Sequence, residues 1–141
     1  MVENNKMPIY IFDASVVLNY LLDENKEVGK EIKNIFRQEK NGKAQIYSVD
    51  LLPFEVGNVL KNKLSQDKNK IIFELFKKQH IAYKSLTLDQ MGEIISLSYQ
   101  FDTTTYDTSY HYLAKILDGT FVTCDRNYFN KAKSWGNIKL V

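Results

Sequence analysis

A chain of 141 residues, 44% hydrophobic and 26% charged, has the size and composition of one soluble globular domain with its own core, needing neither disulfide nor metal staples. Its 19 Lys and Arg against 17 Asp and Glu leave a net charge of +2, short of the basic patch of a typical sequence-specific DNA binder. The one cysteine, Cys124, excludes an internal disulfide framework and fits a reducing cytoplasm, and no apolar run approaches the ~18 residues that would suggest a membrane span.

Residues 1–7, MVENNKM, are polar, lack a signal-peptide core and are expected to be a loose tail ahead of a single domain over 8–141. IYIF at 9–12 reads as a buried strand, and 14–22 as a short helix. KEVGKEIKNIFRQEK at 26–40 places Val28, Ile32, Ile35 and Phe36 at helical spacing, with a stop at Asn41–Gly42. AQIYS at 44–48 is a second strand. Ser48 or Asp50 is expected to open the next helix, with Pro53 in its first turn and an end near Leu64. Residues 66–80 read as a helix capped by Asp67, with Ile71, Ile72, Leu75 and Phe76 inward.

IAYKSL at 81–86 is a third strand. A helix capped by Thr87 extends to Phe101, and 103–117 turn helical near Tyr106. GTFVTCD at 119–125 contains a fourth strand, 126–135 a helix closed by Gly136, and NIKLV at 137–141 an edge strand. This alternation predicts an α/β fold: three layers, α/β/α, around a central, mostly parallel sheet of four to five strands. In such sheets, sites form beyond the carboxyl ends of strands.

Four acids stand where solvation alone does not explain them. Asp13 and Asp125 each end an apolar strand and precede a helix, a position that also suits a helix cap. Glu55 shares an apolar helix face with Leu52 and Val59, where an unpaired carboxylate would lose several kcal/mol of hydration unless it reaches water at the edge of that face. Asp107 opens the helix whose inward side carries Tyr110, Leu113, Ala114 and Leu117. Carboxylates converging on one cleft would repel and raise one another's pKa. A hard cation resolves that conflict, and oxygen ligands without His or Cys favour Mg²⁺ or Mn²⁺ over Zn²⁺. His111, one turn after Asp107, is expected to be a core or surface histidine, and Cys124 a small buried hydrophobe.

The ordered segments FDAS, FEVGNVL, YDTSYHYLAKIL and FVTCDRNYF resemble the motifs of PIN-domain nucleases, and more narrowly of the small VapC-like toxins of prokaryotic toxin–antitoxin pairs. The resemblance spans about residues 8–141. It maps the four family acids onto Asp13, Glu55, Asp107 and Asp125, and the flanking hydroxyls onto Ser15 and Thr123. It implies a Mg²⁺- or Mn²⁺-dependent endoribonuclease, a homodimer, and a cognate antitoxin occupying the cleft.

On that reading Asp13 and Asp107 are the first choices as direct metal ligands. Glu55 and Asp125 would ligate directly, through water, or orient the attacking water. Ser15, Thr123, Asn58 and, more weakly, Asn62 would support the ligands. Arg126, Lys61 and Lys63, with Lys131 and Lys133 further along the last helix, would hold phosphates, while Tyr106, Tyr110 and Tyr128 are candidates to stack on bases. A phosphotransfer receiver would want an acidic pair after the first strand, and a haloacid-dehalogenase-like phosphatase a second Asp at position 15, which is Ser. A flap-type nuclease would need more acids and a helical arch. The remaining alternatives are a non-catalytic PIN-like RNA-binding or scaffold module, and an RNA-processing nuclease outside a toxin–antitoxin pair.

Overall fold

The computed structural model describes residues 6–141. The expected loose tail lies outside these residues, apart from exposed Lys6 and Met7. In chain order the elements are β1 (Ile9–Phe12), α1 (Ala14–Leu22), α2 (Lys26–Lys40), β2 (Gln45–Val49), α3 (Leu52–Lys63), α4 (Gln66–Lys77), β3 (Ala82–Lys84), α5 (Leu88–Phe101), α6 (Thr105–Leu117), β4 (Thr120–Thr123), α7 (Arg126–Ala132) and β5 (Ile138–Leu140). A short 3-10 turn, Lys133–Trp135, separates α7 from β5. All strand pairs are parallel, in the order β3-β2-β1-β4-β5. The expected parallel sheet and three-layer α/β/α plan are observed, with five strands.

Strands buried on both sides must be apolar throughout, and Ile11, Phe12, Phe121 and Val122 at the sheet centre are at most 1% exposed. α6 packs over β1, β2 and β4, with α5 against α6, while α1 contacts α2, α3 and α4. The chain leaves β1 toward β2 and β3 on one side and later returns through β4 to β5 on the other. The order therefore reverses between β1 and β4, where open α/β sheets form a crevice at the strand carboxyl ends. Pairing of Phe12 with Val122 sets Asp13 opposite Thr123, with Asp125 two residues further on, so both acids leave the sheet at the same end.

Local chemistry shifts several expected boundaries. Neither Ser48 nor Asp50 caps α3: Ser48 lies buried in β2 and donates to the Phe12 carbonyl at 2.6 Å, and Asp50 accepts from the Ser85 hydroxyl at 2.6 Å. The preceding residue of α3, Leu51, offers no side-chain cap. Ser65, not Asp67, caps α4 by accepting from the Lys68 amide, and α4 ends at Lys77 rather than His80. Ile71 and Leu75 face solvent, and Phe76 is the buried residue of that helix. Periodicity marks a stripe, but α4 leaves part of it uncovered. β3 is an exposed edge strand of three residues rather than six. Thr87 caps α5 through a reciprocal capping box with Gln90, as expected.

Candidate functional site

Each acid is held in place for a local reason. Asp13 is the N-cap of α1: its Oδ1 accepts from the Val16 amide at 3.1 Å and from the Ser15 hydroxyl at 2.5 Å. Its Oδ2 accepts from the Thr123 hydroxyl at 2.7 Å. Ser15 in turn accepts from the Cys124 amide, and Thr123 from the Asp125 amide, each at 3.0 Å. Both hydroxyl hydrogens therefore point at Asp13, and both hydroxyl oxygens clamp the chain just after β4. A carboxylate oxygen has about two acceptor directions, so Oδ1 is saturated while Oδ2 keeps one free. Asp13 is 5% exposed, and burial pushes its pKa up to about 6 against the lowering effect of its three donors, with the charge of Asp107 adding to the rise.

Asp125 caps α7, accepting from the Tyr128 amide at 3.0 Å. Asp107 is not a cap. Thr104 caps α6, leaving Asp107 in the first turn, where the helix N-terminus favours negative charge. Its pKa is raised by burial, opposed by Thr104, and raised further by the charge of Asp125. Glu55 lies in the first turn of α3, partly exposed, and accepts at 2.9 Å from the hydroxyl of Tyr110. Its pKa rises through burial and the charge of Asp107, against the Tyr110 hydrogen bond. Asp107 thus acts electrostatically on Asp13 and Glu55, and Asp125 on Asp107.

Asp107 and Asp125 share a cavity of about 310 Å³, lined also by Thr103, Thr104, Asn127 and Lys131. Asp13 and Glu55 are outside its lining. Among the described residues no three His, Cys, Asp or Glu side chains close on a single point. The donor set still suits Mg²⁺ or Mn²⁺: all oxygen, with one free acceptor direction on buried Asp13 Oδ2. Mg²⁺ in particular is often held by one or two carboxylates, with water in its remaining positions.

The expected RNA contacts divide. Arg126 is exposed directly after Asp125, with no ion-pair partner among the described residues. Lys63 is paired with Glu24 at 2.9 Å. Lys61 lines a groove between α3 and α4 with Leu64, Asn69 and Phe73, away from the acids. Lys131 reaches the Asp102 carbonyl at 2.8 Å at the cavity rim, and Lys133 lies over the Phe129 ring. Asn58 and Asn62 are exposed. Of the three tyrosines, Tyr110 and Tyr128 are core and only Tyr106 is open to solvent.

His111 is fully buried. Its Nε2 lies 2.6 Å from the Gly136 carbonyl, which can only accept, so Nε2 carries the proton and Nδ1 accepts from the Tyr128 hydroxyl at 2.9 Å. Burial lowers its pKa to about 4, which keeps it neutral. Cys124 is partly buried, and its thiol is pushed up to about 11 by burial and nearby acids, which makes it a poor nucleophile. The residue that chain order alone concealed is Tyr110. A tyrosine in an otherwise apolar stripe signals a buried hydroxyl in need of a partner, but that partner is 55 residues away.

No family model and no curated protein matches the chain. Solved structures do. A structure of VapBC2 from Rickettsia felis bound to a promoter DNA fragment aligns over 94% of this chain and 97% of its own, with a TM-score of 0.68 and 13% identity. A toxin–antitoxin complex from Klebsiella pneumoniae aligns over 92% and 95%, with a TM-score of 0.65 and 10% identity. PAE2754 from Pyrobaculum aerophilum aligns over 91% and 87%, with a TM-score of 0.61 and 22% identity. At these identities the likeness establishes architecture: the chain has a PIN-like α/β/α fold, shared with the Rickettsia felis VapBC2 structure and the Klebsiella pneumoniae toxin–antitoxin complex.

Proposed function

We propose that this chain is a Mg²⁺- or Mn²⁺-dependent endoribonuclease and the toxin of a type II toxin–antitoxin pair. The observation that carries the reading is the placement of Asp13 and Asp125 at the ends of the two adjacent central strands, with Asp107 acting electrostatically on Asp13 and itself acted on by Asp125. Asp13, through Oδ2, and Asp107 would hold the cation, with Glu55 and Asp125 completing the acidic ring. The cation, when bound, supplies polarisation of a phosphate oxygen and a more acidic water. Ser15 and Thr123 keep the Asp13 carboxylate in one orientation. Asp125, fixed by the Tyr128 amide, faces the cavity and can take a proton from the attacking water. Arg126 and Lys131 neutralise the phosphate backbone on the α7 side.

The partner readings have their own support. The neighbours in the Rickettsia and Klebsiella structures are toxin–antitoxin assemblies, which favours a cognate antitoxin here. On α5, Leu88 and Tyr99 are 90% and 86% exposed and Ile95 lies between them, an apolar stripe suited to a second copy of this chain. No helix of the described residues is long and apolar enough to cross a membrane, and RNA cleavage would take place in the cytoplasm.

The test is cleavage of total RNA by the purified chain with Mg²⁺, with Mn²⁺ and with a chelator, for wild type, Asp13→Asn and Asp107→Asn. Metal-dependent fragments from wild type alone are expected. Full activity in both folded variants overturns the proposal, and metal-independent RNA binding without cleavage selects the non-catalytic alternative.

A further inference from the structure

α6 brings two large polar side chains, Tyr110 and His111, into the interior one after the other. His111 is fully accounted for by Tyr128 and Gly136. Tyr110 is different. Its ring is fully buried and stacks against Phe121, centroids 6.1 Å apart and planes 13° from parallel. Its hydroxyl, at the far end of that ring, has as its hydrogen-bond partner among the described residues Oε1 of Glu55 at 2.9 Å. A phenol at neutral pH is an O–H donor and a carboxylate only accepts, so the bond has one direction. Glu55 is partly exposed and can be hydrated without help, whereas Tyr110 is rigid. The tyrosine therefore orders the glutamate.

From this geometry we infer that Tyr110 is a positioning residue for the divalent-metal site: it pins Glu55 by Oε1 and leaves Oε2 turned to a cation or to the water bound to it. The inference rests on the metal-dependent reading above and deepens it. Hydrogen-bond partners of metal ligands typically change metal affinity by 10–100-fold when removed.

The test is a Mn²⁺ titration of the metal-free protein by calorimetry, with thermal melts, for wild type, Tyr110→Phe, Glu55→Gln and the double variant. Phenylalanine keeps the ring and its stacking, and Tyr110→Met serves in the same cycle should Tyr110→Phe fail to fold. About tenfold weaker Mn²⁺ binding in Tyr110→Phe is expected, with the double variant no weaker than Glu55→Gln alone. Wild-type Mn²⁺ affinity in Tyr110→Phe, or losses that add in the double variant, overturns this inference and leaves the proposed function standing. A lowered melting temperature with unchanged affinity does the same, because it marks a purely structural role. Wild type that binds no Mn²⁺ overturns both.

Discussion

The Thr123 hydroxyl donates to Oδ2 of Asp13 at 2.7 Å while accepting from the Asp125 amide at 3.0 Å, so one side chain joins the ends of β1 and β4 and links two of the four acids. Thr123→Val keeps the volume but leaves a buried carboxylate oxygen and a backbone N–H without partners. The expected loss is about 2–3 kcal/mol of stability, read from urea denaturation at pH 7, with Thr123→Ser close to wild type. Equal stability of the valine variant would mean that water replaces the hydroxyl.

The parts of this arrangement legible in the sequence were those encoded locally. An apolar strand, an aspartate and a helix in succession mark both Asp13 and Asp125, and each is a helix cap just after a central strand. Thr87 with Gln90 spells out its own capping box. Long-range pairings were not legible: Tyr110 with Glu55, Lys63 with Glu24, and Ser48 with the Phe12 carbonyl join residues 55, 39 and 36 positions apart. Helical periodicity locates a stripe without saying whether anything covers it, which is why Ile71 reads as core and lies in solvent. Tyr110, read both as an inward residue of its helix and as a candidate to stack on bases, takes the inward role, and Tyr128, also a stacking candidate, is interior as well.

Two buried groups pull stability in opposite directions with pH. His111 has a folded pKa of about 4, below its ordinary 6.5, so its contribution is complete above pH 6.5 and is lost as pH falls toward 4. Asp13 has a folded pKa of about 6, above its ordinary 3.8, so its contribution is complete below pH 3.8 and is lost as pH rises through 6. Each is worth roughly 3 kcal/mol at its limit. Wild type should therefore show a shallow stability profile between pH 4 and 6.5. His111→Gln should gain stability on acidification, and Asp13→Asn should lose it steeply. Parallel profiles for all three proteins, by denaturant titration at several pH values, would contradict both assignments.

Gly119, at the entry to β4, approaches β1 too closely for any side chain. A Cβ there would lie 2.8 Å from the Ile9 carbonyl oxygen and 2.9 Å from two Ile side-chain carbons. The carbonyl belongs to a paired central strand and cannot move aside. Gly119→Ala should cost about 1–3 kcal/mol. Gly57, inside α3 with nothing near the same position, provides the contrast: Gly57→Ala should stabilise by about 0.5–1 kcal/mol. Thermal melts of the two variants should move in opposite directions.

Asp13→Asn separates what the site does from what the fold needs. The buried charge costs stability at neutral pH, as its raised pKa records, and asparagine removes that charge. The amide oxygen can still accept from Ser15 and the Val16 amide. The amide NH₂ replaces an acceptor facing Thr123, whose hydroxyl can rotate and accept instead, since it has a second lone pair beside the one used by the Asp125 amide. The variant should therefore be more stable than wild type at pH 7, by about 1–3 kcal/mol, with the difference shrinking as pH falls below 6 and wild type becomes protonated. RNA cleavage and Mn²⁺ binding should collapse together in the same protein. A variant less stable than wild type at pH 7 would show that the three hydrogen bonds to the carboxylate outweigh its burial. Asp13 would then be a structural cap first, and its role at the proposed metal site secondary.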